Sequence, residues 1–170
     1  MIEAQQLFGL RVEQIKVLIH RQALIHSMVE FVDGSILAQM AVTDMRLPIQ
    51  MALSYPERLP NPHLKLDPLK TGALSFEQPD DKKFPCLALA YEAARLGGTA
   101  PCALNAANEV AVSAFLEEKL AFVYIAAIIE KILNEKDFSK NDTTLEAIFK
   151  TDQRTRVRTK QLVEFYQRKD

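Results

Sequence analysis

A chain of 170 residues, 48% hydrophobic and 25% charged, has an ordinary globular composition and enough length for one good core or two small ones. Its formal net charge of −1 argues against a general binder of nucleic acid or anionic membranes, which needs a basic excess. No apolar run reaches the roughly 18 residues that span a bilayer. The N-terminus carries Glu3 where a signal peptide would be basic, so the cytoplasm is the expected location.

Residues 1–14 read as a helix with Ile2, Leu7 and Leu10 apolar and Gly9 as a break or end. Three strand-like runs follow, at 15–20, 27–32 and 35–41. Asp33-Gly34 between the last two predicts a hairpin with a two-residue type I′ turn. Val29 and Phe31 share one face and Glu30 the other, which predicts a sheet covered on at least one side. Pro48 fits the first turn of a short helix through Leu53, stopped by Tyr55-Pro56. Residues 55–85 hold prolines 56, 60, 62, 68, 79 and 85. Such a stretch lacks ladder donors and reads as an extended connector, with 72–76 as a candidate edge strand.

After Pro85 the pattern is helical. Residues 86–96 stop at Gly97-Gly98, and Pro101 opens a second helix to about Glu118 with Leu104, Ala107, Ala111, Ala114 and Phe115 at three-to-four spacing. Residues 122–134 form a third. Thr143-Thr144-Leu145-Glu146 reads as a capping box opening a last helix, with a break expected near Asp152. The expected fold class is α+β: a partial sheet with a β-hairpin (1–54), a proline-rich connector (55–85) and a four-helix bundle-like C-terminal domain (86–170).

The polar constellations each carry two readings. His20 and His26 fit no common zinc pattern. They are either hydrogen-bonded histidines at a sheet rim, or one of them, His26 in particular, stands at an active-site mouth and bonds an anionic substrate or moves protons. Thr43-Asp44-Met45-Arg46 is either a turn in which Asp44 caps the next helix and pairs with Arg46, or a loop over a ligand with Met45 as an apolar contact. Asn105, Asn108 and Glu109 read as residues favoured at a helix start. Arg154, Arg156, Arg158 and Lys160, set among Asp152, Glu164 and Asp170, read as a solvated helix face. Cys86 and Cys102 show no CxxC spacing and read as buried free thiols. There is no GxGxxG, GxxxxGK[ST], GxSxG or HExxH, and no close run of carboxylates for a divalent cation. These residues alone do not make a complete active site.

Several blocks in one order carry a family resemblance: Val17-Leu18-Ile19-His20, Ile25-His26-Ser27-Met28-Val29, Asp33-Gly34-Ser35, Asp44-Met45-Arg46-Leu47-Pro48-Ile49, Tyr55-Pro56-Glu57-Arg58, Phe84-Pro85-Cys86-Leu87, Gly98-Thr99-Ala100-Pro101 and Leu104-Asn105-Ala106-Ala107-Asn108-Glu109. The chain resembles 1-deoxy-D-xylulose 5-phosphate reductoisomerase from about Ile2 to the last helix. The resemblance implies an NADPH-dependent oxidoreductase of the non-mevalonate isoprenoid pathway. That enzyme rearranges its substrate and reduces the product to 2-C-methyl-D-erythritol 4-phosphate, with Mg or Mn as Lewis acid, and works as a homodimer. The match covers only the end of the family's catalytic domain, its connector and its C-terminal bundle.

The family's dinucleotide domain, metal ligands and Asn-Lys-Gly-Leu-Glu motif lie upstream of the match, so Met1 falls at a position internal to a family helix. Of the family's site residues the resemblance carries over Met45, near substrate and nicotinamide, and places His26 near the site; it gives this chain no cofactor-binding and no metal residues. Arg21 and Thr43 stand where the family usually has proline. The expectation is a C-terminal portion inactive alone, dimerising through the sheet. Its alternatives are half of a split enzyme with a separate N-terminal chain, and a non-catalytic dimerisation or binding module. The bundle is expected to resist proteases and the N-terminal third to be labile.

Overall fold

The computed structural model describes residues 1–168. They fall into two units, Met1–Val17 with the chain from Asp80 onward, and Leu18–Pro79. This grouping differs from the expected spans 1–54, 55–85 and 86–170. The first residues pack on the helical part: the Tyr91 hydroxyl donates to the Ile15 carbonyl at 2.9 Å.

In the larger unit, α1 (Ile2–Phe8) stops at Gly9, whose φ of 62° ends the helix, and a 3₁₀ turn follows at Val12–Gln14. Residues 1–14 are therefore two short pieces, not one helix. Four longer helices follow: α3 (Pro85–Leu96), α4 (Ala100–Leu116), α5 (Val123–Glu135) and α6 (Leu145–Gln167). Pro85 and Pro101 sit in first turns, where a missing N–H costs nothing. Helix α4 touches each of the other three, and it does so with Ala100, Ala103, Ala106, Ala107, Ala111 and Ala114, all buried. Small side chains let the neighbouring backbones come close. Ile125, Ile128, Ile129, Ile132 and Leu133 from α5, with Leu162 and Val163 from α6 and Leu89 from α3, supply the bulk of the core.

Gly98 has φ +55° and turns the chain into Thr99, which is almost fully buried. The Thr99 amide donates to the Ser139 carbonyl at 2.8 Å, and the Ser139 amide donates back to Thr99 Oγ1 at 3.0 Å. Thr151 Oγ1 donates to the same oxygen at 3.1 Å. These bonds pin the loop before α6 to the start of α4. Thr144 is the N-cap of α6 and accepts from the Ala147 amide at 3.3 Å, so the cap lies one residue later than the expected box.

Helix α6 does not break at Asp152. It runs unbroken for 23 residues, because Asp152 accepts from Arg156 one turn on at 2.8 Å and the Thr159 hydroxyl turns back onto the Thr155 carbonyl at 2.8 Å. The three arginines along it are paired: Arg154 with Asp137, Arg156 with Glu109 as well as Asp152, and Arg158 with Glu135. Such exposed pairs contribute about 0–1 kcal/mol each. Asp170 lies outside the described residues. Asn105 is inside α4 rather than at its start, and its amide donates to Glu109 at 2.9 Å. Cys86 is exposed and Cys102 half-buried, which corrects the expectation of buried thiols; what burial they have pushes both pKa values up.

The smaller unit contains an antiparallel pair, β1 (Ile25–Glu30) and β2 (Ile36–Met40), with Met28 opposite Ala38 and Glu30 opposite Ile36. The connection is not a two-residue type I′ turn. The Gly34 amide donates to the Phe31 carbonyl at 2.9 Å, the Phe31 amide donates to the Ser35 carbonyl at 2.9 Å, and within the loop only Gly34 has a positive φ. This is a three-residue loop, a type I turn closed by a glycine bulge. Asp33 secures it by accepting from the Ser35 amide and hydroxyl at 2.9 and 2.6 Å.

Residues 15–20 form no strand, and neither do 72–76. What pairs there is a single bridge from Ile19 to Glu77, one residue past the second segment, bonded in both directions at 2.9 Å. Among the described residues the sheet has two strands, so apolar β-branched residues at 15–20 have no third strand to join. Nor is the sheet covered on a face: Val29, Phe31, Ile36 and Leu37 are all exposed. Helix α2 (Arg46–Ser54) has Pro48 in its first turn, as expected, and is capped by Tyr55. The whole is helix-rich with one small antiparallel sheet.

No residue of the smaller unit is buried, whereas every buried position among the described residues lies in the larger one. Apolar burial is the main favourable term in folding, so the two units differ in what resists opening. Hydrogen exchange is expected to show helices α3 to α6 protected and the amides of β1 and β2 exchanging faster. Equal protection in both would contradict this.

Candidate functional site

The site is built at one end of the hairpin, within the smaller unit. Strand β2 delivers the chain into residues 41–45, and α2 returns it. The turn is closed by Asp44. Its Oδ1 accepts from the Arg46 amide at 2.9 Å and from Arg46 Nε at 2.9 Å, while its Oδ2 accepts from Arg46 Nη2 at 2.7 Å. The sequence puts a carboxylate two residues before a guanidinium, and the loop folds back until both meet. The pairing reading of Asp44 and Arg46 is thus realised, with Met45 as the N-cap position of α2.

A cleft of 640 Å³ opens beside this loop. Its wall includes His26 from β1, residues 39–45, Leu47, Gln50 and Met51 from α2, and Arg58 with Leu59 beyond it. The two residues singled out from sequence, Met45 and His26, therefore line one cleft. Met45 is 70% exposed, an apolar, flexible side chain free to lie against a ligand. The His26 ring is oriented by Nε2, which donates to the Ala41 carbonyl at 3.3 Å. His20 is not part of the cleft wall. Its Nδ1 donates to the Ser75 carbonyl at 2.8 Å, its ring stacks on Phe76 at 4.8 Å, and its Nε2 is buried without a partner. Arg58 and Leu59, on the far wall, carry no sequence signal for a site; a fold-back of the chain brings them there.

Electrostatically the loop is settled by one pair. The Arg46 guanidinium and amide hold the Asp44 carboxyl down at about 2, and Arg46 is raised in return. A depressed acid lends stability that is complete above the usual carboxylate range and is lost as pH falls through its folded value, here about 2. Carboxyl NMR is expected to titrate Asp44 at about 2 and to move it up toward the usual carboxylate range in Arg46→Ala, which removes the guanidinium and keeps the amide donor. An unshifted Asp44 in the unsubstituted chain would sink the pairing.

Among the described residues no group of three or more His, Cys, Asp or Glu could hold a metal ion. Among the described residues, the side chains therefore offer no such set for the divalent cation that the resemblance implies. No helix among the described residues is long and apolar enough to cross a membrane.

A family model, DXP reductoisomerase C-terminal domain, matches residues 40–158, which includes the cleft loop, α2 and most of the helical unit. The chain belongs to the DXP reductoisomerase family. Relatives named 1-deoxy-D-xylulose 5-phosphate reductoisomerase support this. The protein of Pelotomaculum thermopropionicum is 52% identical over 151 residues, covering 89% of this chain and 39% of the relative. That of Acetivibrio thermocellus is 53% identical over the same length, again 89% against 39%.

Among solved structures, the reductoisomerase from Zymomonas mobilis in complex with NADPH superimposes with a TM-score of 0.88 at 44% identity, covering 95% of this chain and 43% of that one. A DOX-P reductoisomerase in complex with NADPH, fosmidomycin and magnesium gives 0.87 at 43% identity, with 95% and 42% covered. The chain thus spans about two fifths of the length of the reductoisomerases it matches. The first of these holds NADPH and the second NADPH, fosmidomycin and magnesium; the part aligned here is the C-terminal part of the reductoisomerase fold, by the description of the matching family.

Proposed function

We propose that this chain supplies one wall of a reductoisomerase site and does not turn over substrate by itself. The reaction is the rearrangement of 1-deoxy-D-xylulose 5-phosphate and its NADPH-dependent reduction to 2-C-methyl-D-erythritol 4-phosphate, for non-mevalonate isoprenoid synthesis in the cytoplasm. The loop at 42–47 lies over the substrate, with Met45 against substrate and nicotinamide and His26 at the mouth. NADPH and Mg or Mn are held by parts of the family enzyme outside this chain. Residues 1–54 act as the end of the catalytic domain, 55–85 as the connector, and 86–170 as a helical bundle; the hairpin sheet joins two copies.

One observation carries this reading: Met45 and His26 meet in a single cleft of a chain in this family, while among the described residues no group of metal-ligating side chains is near it. The purified chain, given 1-deoxy-D-xylulose 5-phosphate, NADPH and Mn, is expected to consume no NADPH. Clear turnover would overturn the proposal.

The exposed apolar residues of the hairpin, Val29, Phe31, Ile36 and Leu37, favour a second reading, that of half of a split enzyme. Activity recovered on mixing with a separately made N-terminal half would support it; no association at micromolar concentration would count against it.

A further inference from the structure

We infer that Thr43 is a positioning residue whose hydroxyl ties the cleft loop to the turn at 20–23, a turn that is itself held by the segment at 73–77. Thr43 Oγ1 donates to the Ala23 carbonyl at 2.8 Å. Ala23 has φ +50°, a left-handed conformation that an alanine adopts only when its surroundings impose it. Two hydrogen bonds impose it here. The Ala23 amide donates to the His20 carbonyl at 3.0 Å, and the Ala23 carbonyl accepts from Thr43.

The three residues before Ala23 each reach the 73–77 segment. His20 Nδ1 donates to the Ser75 carbonyl at 2.8 Å and its ring stacks on Phe76. Arg21 Nε and Nη2 donate to the two carboxylate oxygens of Glu77 at 2.8 and 3.2 Å. Gln22 Nε2 donates to the Ala73 carbonyl at 2.9 Å. A backbone bridge between Ile19 and Glu77 closes the same seam. An unbroken run of contacts therefore leads from the segment at 73–77, through a strained turn, to the first residue of the Thr43-Asp44-Met45-Arg46 loop. Beyond Thr43 the loop is closed locally, by its own Asp44–Arg46 pair and by backbone bonds among residues 42–49, and Met45 is largely exposed. Thr43 is the residue through which the rest of the unit sets where Met45 stands.

The catalytic consequence rests on the reading of 42–47 as a substrate-facing loop, but the tether is measured without substrate. The test is hydrogen exchange on the full chain. A net hydrogen bond shifts a local opening equilibrium by roughly two- to twelvefold. Thr43→Val, which keeps the β-branched shape and removes the donor, is expected to speed exchange of the Arg46 and Leu47 amides about fivefold, with β1 and β2 unchanged. Thr43→Ser is expected to restore the original rates. The double variant Arg21→Ala/Gln22→Ala is expected to reproduce the Thr43→Val pattern at Arg46 and Leu47.

Unchanged Arg46 and Leu47 rates in Thr43→Val overturn the inference. So does an equal rise across β1 and β2, which marks a general loss of stability, or a double variant whose effect stops short of Arg46. Turnover by the purified chain would defeat the proposed function and leave these rates as they are.

Discussion

Alanine in place of Gly98 is expected to destabilise the helical unit by about 2–4 kcal/mol. A Cβ built there collides with the Ser139 carbonyl oxygen and stands 2.7 Å from the Lys140 Cα, an approach no folded chain sustains. Either the turn or the loop before α6 must shift, and the loop is what Thr99 holds through the Ser139 amide and carbonyl. Two hydrogen bonds at about 0.5–1.5 kcal/mol each are at stake. The strain of a non-glycine residue at φ +55° adds about 1 kcal/mol more. Gly9→Ala is the control, since Gly9 is left-handed too, at φ +62°, with nothing within 4 Å of its added Cβ. Thermal unfolding is expected to show Gly98→Ala lowered by roughly 5–15 °C and Gly9→Ala by a fraction of that. Equal losses at the two glycines would refute the close approach to Ser139.

Ile128→Ala is expected to be comparably damaging. Ile128 is fully buried at the centre of the α5 face, and truncating such a residue costs about 2–5 kcal/mol in lost burial plus the cavity left behind. The loss is read from helical circular dichroism in urea, a signal that follows the larger unit whether or not the smaller one opens with it. Ile36→Ala makes the comparison sharp: same residue type, 61% exposed on β2, expected change under about 0.5 kcal/mol. If both cost the same, the assignment of the core to the helical unit fails.

How far the sequence was readable follows the range of the interactions involved. Local chemistry came through. Asp33-Gly34 marked the hairpin, Pro85 and Pro101 marked helix starts, and the two-residue spacing of Asp44 and Arg46 marked their pair, because each depends on residues within a turn of one another. The hairpin's loop class was misjudged, since Asp-Gly serves both a two-residue turn and a three-residue loop with a glycine bulge, and backbone bonds at Phe31 choose between them. Residues 15–20 have strand composition yet pair only through Ile19; composition states a preference for a sheet, and partners decide whether it is met. The expected break at Asp152 failed because Arg156 one turn on turns a helix-weakening residue into a paired one. Met45 and His26 were each one of two local readings and appeared again in the family resemblance, whereas Arg58 in the cleft wall and the bond from Thr43 to Ala23 depend on contacts across many residues, which no local pattern announces.

Helix α4 reaches its three neighbours with alanine, and this reverses the usual map of tolerance in a protein interior. At Ile128 the danger is removal, and many shapes survive in weakened form. At Ala103, Ala106, Ala107 and Ala111 there is nothing to remove except a methyl group, and every larger side chain must push two helix axes apart. Glycine costs about 1 kcal/mol in the helix interior, so neither direction is open. Engineering that seeks a tighter version of this unit has no room at its centre and must work from the outer faces of α5 and α6 instead.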